Sequence, residues 1–360
     1  MSELSAAWRA AEAFALGSPV SAVTTLGEGL INRTYEVATA RGPRFVVQRL
    51  NEAVFPSPEP LMANIRKVTR HLARRGDRSA LSLVETPDGA SWHRGGDGGA
   101  WRCYRLVEHA RAWSRVPDRA TARRAAAAFG RFVADLADLP AAELHAVLPG
   151  FHDTPARLAA LERAVVEDAC GRAAGLQREL EQIRRRAAFA GLLERALHGG
   201  ELPLRVVHND TKLSNVLFHR DTNQVLCVVD LDTVMPGLLA HDFGDMVRSA
   251  AAVGRGTELA LDAALFEVLA EGYLQGLGPR LSAAEAHYLA DAPAVLALEL
   301  AARFLTDHLQ GDRQFRIGRP NENLERARGR LALLASMERQ RAALRQVLER
   351  VVRARTRTAR

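Results

Sequence analysis

Lysine is nearly missing from this sequence. Of the 49 basic residues in the 360, only Lys67 and Lys212 are lysine, and arginine fills the other 47 cationic positions. A lysine in such a chain marks a place where arginine will not do. Cysteine is as scarce: Cys103, Cys170 and Cys227 lie far apart with no C-x-x-C spacing, which excludes a disulfide framework and a thiolate zinc site. A reducing, cytoplasmic location is the expectation. No stretch reaches the roughly 18 uncharged apolar residues of a membrane span, so no membrane partner is expected. The start, "MSELSAAWRAAEAFALG", mixes charges where a signal peptide needs an unbroken apolar stretch. An excess of one charge sign is confined to the end. The net charge is +7, and residues 339–360 account for it with eight arginines against Glu349. A solvated helix end explains such a run, and nucleic acid is not the expected partner; contact with another polyanion is the alternative.

What is present is the composition of a globular protein, 48% apolar and 25% charged, long enough for two lobes. Residues 4–16 read as a short amphipathic helix. "VTTLGEGLINRTYEV" reads as a hairpin around Gly27 and Gly29, and "RFVVQRL" as a third strand. In 58–76, Leu61, Ile65, Val68 and Leu72 fall at helical spacing before a closing glycine. "SLVETP" and "WRCYRLVEH" are strand-like. After Ala110 long helical patterns take over, at 120–139, at 155–197 and again towards the end, interrupted by a polar, strand-flanked segment from His208 to Asp245. The fold class is therefore α+β and bilobal. A small β-rich lobe spans 1–106, a hinge 107–112, a larger helical catalytic and acceptor-binding lobe 113–338, and an Arg-rich helix or tail 339–360.

The chemistry concentrates in "VVHNDTKLSNVLFH". His208 to Asn215 fits the H-x-D-x-x-x-x-N loop of kinases, and the apolar strand ending in Asp230 follows fifteen residues after Asn215. A hydroxyl attacking a γ-phosphate needs a carboxylate to orient it and take its proton, a role that suits Asp210. Mg²⁺ needs hard oxygen ligands, which Asn215 and Asp230 supply. The triphosphate gathers negative charge in the transition state, and the compact ammonium of Lys212 can neutralise it as a point charge. Gly27 and Gly29 could let backbone close over phosphates, or could simply form a turn. Neither lysine follows a glycine, so a Walker A loop is excluded. The strand "FVVQRL" offers Gln48 or Arg49, Arg49 preferred, where a kinase places its phosphate-pairing lysine, with Glu59 or Asn64 as the partner from the following helix.

With these residues in place the chain resembles the aminoglycoside phosphotransferase/choline kinase superfamily, and within it the N-acetylhexosamine 1-kinases. The resemblance rests on "GEGLINRTYEV", "FVVQRLNEAVFPSPEPLMANIRKVTRHL", "FHDTPARL", "VVDLDTVMPGLLAHDFGDMVR" and "RFLTDHLQGD" as well as on the catalytic loop. It implies a protein-kinase-like fold, ATP and Mg²⁺ as cofactors, and a small-molecule hydroxyl acceptor, a sugar. It implies Asp210 as base, Asn215 and Asp230 as metal ligands, Asn32 with Gly27 and Gly29 on the nucleotide, and the connector around Glu108 as the adenine hinge. Arg303 would hold the sugar, and Asp242 would brace the catalytic loop. The subgroup usually has histidine, an aromatic and tyrosine where this chain has Leu30, Ser249 and Gln314, so the acceptor pocket differs there. An aminoglycoside, an amino alcohol or another metabolite is the alternative acceptor, and a nucleotide-binding pseudokinase the alternative class. His152 and Arg157 of "FHDTPARL" either line the acceptor pocket or form a helix start.

Overall fold

The computed structural model describes residues 2–27, 31–76 and 81–358. Gly29 and Leu30 lie outside the described residues. Helix α1 (Glu3–Glu12) begins at Ser2, whose hydroxyl accepts the Ser5 N–H at 3.2 Å. The expected hairpin forms as β1 (Val20–Thr25) and β2 (Arg33–Thr39), antiparallel with Thr25 opposite Tyr35, followed by β3 (Phe45–Arg49). Helix α2 (Pro58–Arg74) opens with proline in its first turn and ends before Gly76, at φ 76°. Then come β4 (Leu83–Val84), β5 (His93–Arg94) and β6 (Ala100–Arg105), giving a sheet in the order β1-β2-β3-β6-β4, with β5 also on β6.

Strand alternation gives this sheet two chemically different faces. Tyr35, Val37, Phe45, Val47, Trp101 and Cys103 form one core with Ala7, Ala10, Ala11 and Phe14 from α1 and the residues after it. Arg49 shares that side, opposite Trp101, whereas Gln48 pairs with Arg102 on the other face.

The remaining elements are mostly helical. β7 (Ala110–Ala112) precedes α3 (Arg119–Asp135), capped by Asp118 accepting from Thr121 N at 2.7 Å, and α4 (Thr154–Glu167), capped by Asp153. The sequence pattern over 155–197 predicts long helix. The chain instead breaks at Asp168 (φ 35°) and Gly171 (φ 65°), left-handed positions that stop a helix, and continues as α5 (Gln177–Arg184), α6 (Ala187–Ala190) and α7 (Leu192–His198). Short strands β8 (Arg205–Val207), β9 (Val216–His219), β10 (Val225–Val228) and β11 (Met235–Gly237) frame the polar segment, with β8 pairing β11 and β9 lying between β7 and β10. Then follow α8 (Leu239–Ala250), the hairpin β12 (Ala252–Val253) and β13 (Ala260–Leu261), α9 (Ala263–Leu277), α10 (Ala283–Tyr288), α11 (Ala292–Leu309) and α12 (Glu322–Thr358).

Two compact units result. One comprises Met1–Arg111, Asp138–Leu148 and Leu217–Met235; the other comprises Ala112–Ala137, Pro149–Val216 and Pro236–Arg360. The α+β class holds, with a β-sheet-rich N-terminal region and a larger helical C-terminal part. Among the described residues no helix is long and apolar enough to cross a membrane.

Candidate active site

The loop after β8 is built around one buried carboxylate. Asp242, in the first turn of α8, accepts the backbone N–H of His208 at 2.9 Å and of Asn209 at 2.6 Å, while its own carbonyl accepts the Thr211 hydroxyl at 2.6 Å. Burial pushes its carboxyl up to about 6, still below neutrality, so at pH 7 it is the acceptor both N–H groups require. Asn209 takes the left-handed conformation (φ 63°), which asparagine tolerates better than most residues. Gly237 of β11 lies against this loop: a Cβ there would meet Val207 Cγ2 at 2.5 Å and Asn209 Oδ1 at 2.8 Å. The His208 ring is buried edge-on to Phe129, centroids 5.5 Å apart, and its Nδ1 accepts the Asp210 N–H at 3.3 Å.

That frame presents Asp210. Lys212 Nζ donates to its Oδ2 at 2.6 Å, and Asn215 Nδ2 donates to the same oxygen at 3.1 Å and to the Asp210 carbonyl at 2.8 Å. Both donors converge on Oδ2. Burial alone would raise the Asp210 carboxyl, but the Lys212 ammonium overrides it and holds the group below the ordinary carboxylate range. The Asn215 amide, with its nitrogen turned to Asp210, keeps Oδ1 as a hard donor suited to Mg²⁺. Among the described residues no group of three or more His, Cys, Asp or Glu side chains is arranged to hold a metal.

On the same unit, α11 carries Glu299 and Arg303. Arg303 donates to Glu299 at 3.3 Å, and its guanidinium carbon lies 5.4 Å from the Phe151 ring centre and 5.6 Å from that of Phe315. Phe315 stands beside Gln314, in a turn held by Asp307, which accepts from the backbone N–H of Arg313, Gln314 and Phe315 at 2.8, 2.8 and 2.9 Å. Ser249 spends its hydroxyl on the Met246 carbonyl at 3.0 Å. In "FHDTPARL", Asp153 is a helix cap, accepting from Ala156 N at 2.9 Å, and Arg157 donates to the carbonyls of Gly150 and Phe151 at 3.1 Å each. His152 is buried against the catalytic loop. No signal in the sequence distinguishes Glu299 from its helical neighbours; its importance comes from what the fold packs around it.

The other unit holds Asp230, left-handed (φ 63°) just after β10. Two residues on, Asp232 is buried and ion-paired with Arg102 of β6; Asn32 Nδ2 also donates to it at 2.6 Å. Asn32 Oδ1 accepts the Asn51 N–H at 2.9 Å, so both ends of this amide are engaged within the protein. Arg102 Nε donates to Gln48 at 2.9 Å, and burial, which alone would lower its pKa, is overridden by Asp232. Arg49, expected as the substitute cation, is placed differently. It lies on the α1 side of the sheet, paired with Asp97 at 3.0 Å, because adjacent strand residues face opposite ways. The cation on the Gln48 face is Arg102, which the reading of β3 alone did not find. Asn64 bridges backbone, donating to the carbonyls of His145 at 2.8 Å and Val234 at 3.1 Å. Glu108 pairs with Arg44. Gly27, at φ 65°, has the conformation that favours glycine.

Comparison with known proteins sets this geometry in context. A model of the phosphotransferase enzyme family matches residues 22–287. The chain is similar in structure to an aminoglycoside phosphotransferase from Alicyclobacillus acidocaldarius subsp. acidocaldarius DSM 446, at 16% identity and a TM-score of 0.64, over 95% of this chain and 96% of that one. It is also similar to a microcompartment-associated aminopropanol kinase, at 16% identity and a TM-score of 0.60, over 95% and 99% of the two chains. A third is an amicoumacin kinase in complex with AMP-PNP, Ca²⁺ and Ami, at 15% identity and a TM-score of 0.58, over 88% of each chain. At these identities the likeness carries the fold, and it is the protein-kinase-like fold of phosphotransferases.

Proposed function

The chain belongs to the phosphotransferase enzyme family, and from that premise we propose that it is an ATP- and Mg²⁺-dependent kinase of a small molecule, acting on a sugar hydroxyl, with the anomeric hydroxyl of an N-acetylhexosamine-like sugar as the first candidate. Asp210 orients the acceptor hydroxyl and takes its proton at Oδ1, while the new oxygen–phosphorus bond forms and the bond to the ADP leaving group breaks. Lys212 holds Asp210 ionised until the triphosphate is present and then offers its charge to the phosphates. Asn215 and Asp230 would each offer an oxygen ligand to the divalent ion, which when bound would supply charge neutralisation. Arg303, with Phe151 and Phe315 at its guanidinium, is the acceptor-side cation; Gln314, next to Phe315, and Ser249 belong to the same side.

The observation that carries this reading is the convergence of Lys212 and Asn215 on one oxygen of Asp210, on a loop pinned by Asp242. Nucleotide and divalent-metal use is further supported by the amicoumacin kinase bound to AMP-PNP and Ca²⁺. The "DLDTVMPG…DFGD" segment supports the sugar; the aminopropanol kinase supports an amino alcohol as the second acceptor class. An ADP-release assay over hexoses, hexosamines, amino alcohols and aminoglycosides separates these. Turnover with a hexosamine above the others supports the sugar reading, and turnover with an amino alcohol alone replaces it.

A further inference from the structure

The loop before α4 sets His152 against the catalytic loop, with its ring buried. Nε2 stands 3.0 Å from the carbonyl oxygen of Asn209, and Nδ1 stands 3.1 Å from Glu299 Oε2. Both partners are acceptors. A backbone carbonyl has no proton to give, and Glu299, paired also with Arg303, is a carboxylate. A neutral imidazole carries one N–H, so in either tautomer one ring nitrogen would point a lone pair at an oxygen lone pair in a site closed to solvent. The imidazolium, with two N–H groups, satisfies both contacts.

The bond to Asn209 has a mechanical consequence. The carbonyl of Asn209 and the N–H of Asp210 belong to one planar peptide group. His152 holds its oxygen edge, and His208 Nδ1 holds its N–H edge at 3.3 Å. With Asp242 gripping the Asn209 N–H, the backbone entering Asp210 is fixed in rotation, and the direction of the Asp210 side chain follows from it.

We infer that His152 is an imidazolium at neutral pH and a positioning residue for phosphoryl transfer, tying the carboxylate of Glu299 to the peptide that aims Asp210. This rests on the reading of Asp210 as the base. The charged groups around the ring agree with it. Glu299 and Arg303 face it from α11, and His241 and Asp245 from α8, with the His241 ring 4.8 Å away. Burial, reinforced by the charge on His152, drives His241 down to about 3, so it stays neutral and adds no competing cation. Burial alone would lower His152 as well, but the Glu299 carboxylate overrides it and raises it above its ordinary value. From α7, Glu194 accepts the Thr154 N–H at 3.3 Å and is raised by burial to about 7, so it gains negative charge as the pH rises past neutrality.

Two readouts test this on the full-length protein. Long-range ¹H–¹⁵N correlation spectra of the histidine rings at pH 8, where an ordinary histidine is almost wholly neutral, should show one ring with both nitrogens protonated. That signature should vanish in His152→Gln and turn neutral in Glu299→Gln. In turnover, His152→Gln should lower kcat by roughly ten-fold or more with the KM for ATP unchanged, and should lose the alkaline limb that the wild type shows as His152 deprotonates. Neutral histidines throughout at pH 8, or a His152→Gln enzyme with the kcat and pH profile of the wild type, overturns the inference. The spectrum of the wild type uses no substrate and decides the charge state even if a variant fails to fold. A protein with the imidazolium but no kinase activity on any acceptor would count against the proposed function and not against the charge on His152.

Discussion

At the scale of single residues, charge placement separates residues that look alike in sequence. Arg49 and Arg102 are both arginines on central strands of one sheet. Arg49 is partly exposed and paired with Asp97, a contact of the kind worth about 0.2–1 kcal/mol. Arg102 is almost wholly buried against Asp232, and removing one member of such a pair costs about 3–5 kcal/mol because the other charge is stranded. Thermal melts should therefore show Arg49→Ala close to the wild type and Arg102→Gln strongly destabilised. Equal, small shifts for both would mean that the Arg102–Asp232 pair is not the tie described here. Part of this was legible beforehand. The spacing of His208, Asp210, Lys212 and Asn215 pointed to one loop, and the structure does bring Lys212 and Asn215 onto the Asp210 carboxylate. Arg102 was not legible, because its importance comes from the cross-strand partner Gln48 and from Asp232, 130 residues away in the chain.

At the scale of elements, the catalytic loop owes its shape to the start of α8 and to the close approach of β11. Gly244 in α8 sits where a Cβ would come within 2.9 Å of the Ala292 backbone, so α8 and α11 pack without room for a side chain. Gly237 plays the same part against Asn209. Gly237→Ala should lower kcat more than it raises the KM for nucleotide, since the clash falls on the residue before Asp210; a change in KM alone would place the disturbance elsewhere. The late turn that carries Gln314 and Phe315 depends on Asp307, which also accepts from Asn323 Nδ2 at 2.9 Å. Asp307→Ala should weaken acceptor binding while leaving the KM for ATP near the wild-type value, read by varying each substrate in turn. Periodicity placed α2 nearly to the residue and the start of α3 within one, while α3 ends at Asp135, short of the expected 139. It failed over 155–197, where Asp168 and Gly171 break what reads as continuous helix, because local apolar spacing does not register a left-handed cap. The buried carboxylates Glu299 and Asp307 were invisible for a related reason: an acidic residue inside an apolar helix looks like any solvent-facing one until the fold surrounds it.

At the scale of the whole molecule, the Arg-rich end is part of the structure. Helix α12 runs unbroken across residue 339; Leu344, Val347 and Leu348 are buried, and Arg341 and Arg345 pair with Asp291 at 2.6 and 2.7 Å. Truncation at residue 339 should lower the melting temperature by several degrees, and an unchanged melt would return this segment to solvated surface. Stability should also depend on pH with a defined sign. His152 is raised above its unfolded value, so its contribution is complete below about 6.5 and is lost as the pH rises through its folded value; Asp242, raised to about 6, acts in the same direction. Asp210 and Glu299, the latter held near 2 by His152 although burial alone would raise it, contribute above the ordinary carboxylate range and lose that contribution in strong acid. His241, held near 3 by burial, acts in the opposite direction around its unfolded value, so the test compares the wild type with His152→Gln: the melting temperature lost in the variant should be larger at pH 6 than at pH 9, and an equal loss at both would contradict the assignment. The central claim is that Asp210 is the base of a phosphoryl transfer to a small-molecule hydroxyl. Its most direct measurement is acceptor-dependent ADP release by wild type and Asp210→Asn, with nucleotide affinity measured beside it. The expected result is turnover in the wild type and a kcat lower by roughly 10²–10⁴ in the variant, with nucleotide binding kept. Undiminished turnover in Asp210→Asn would contradict it.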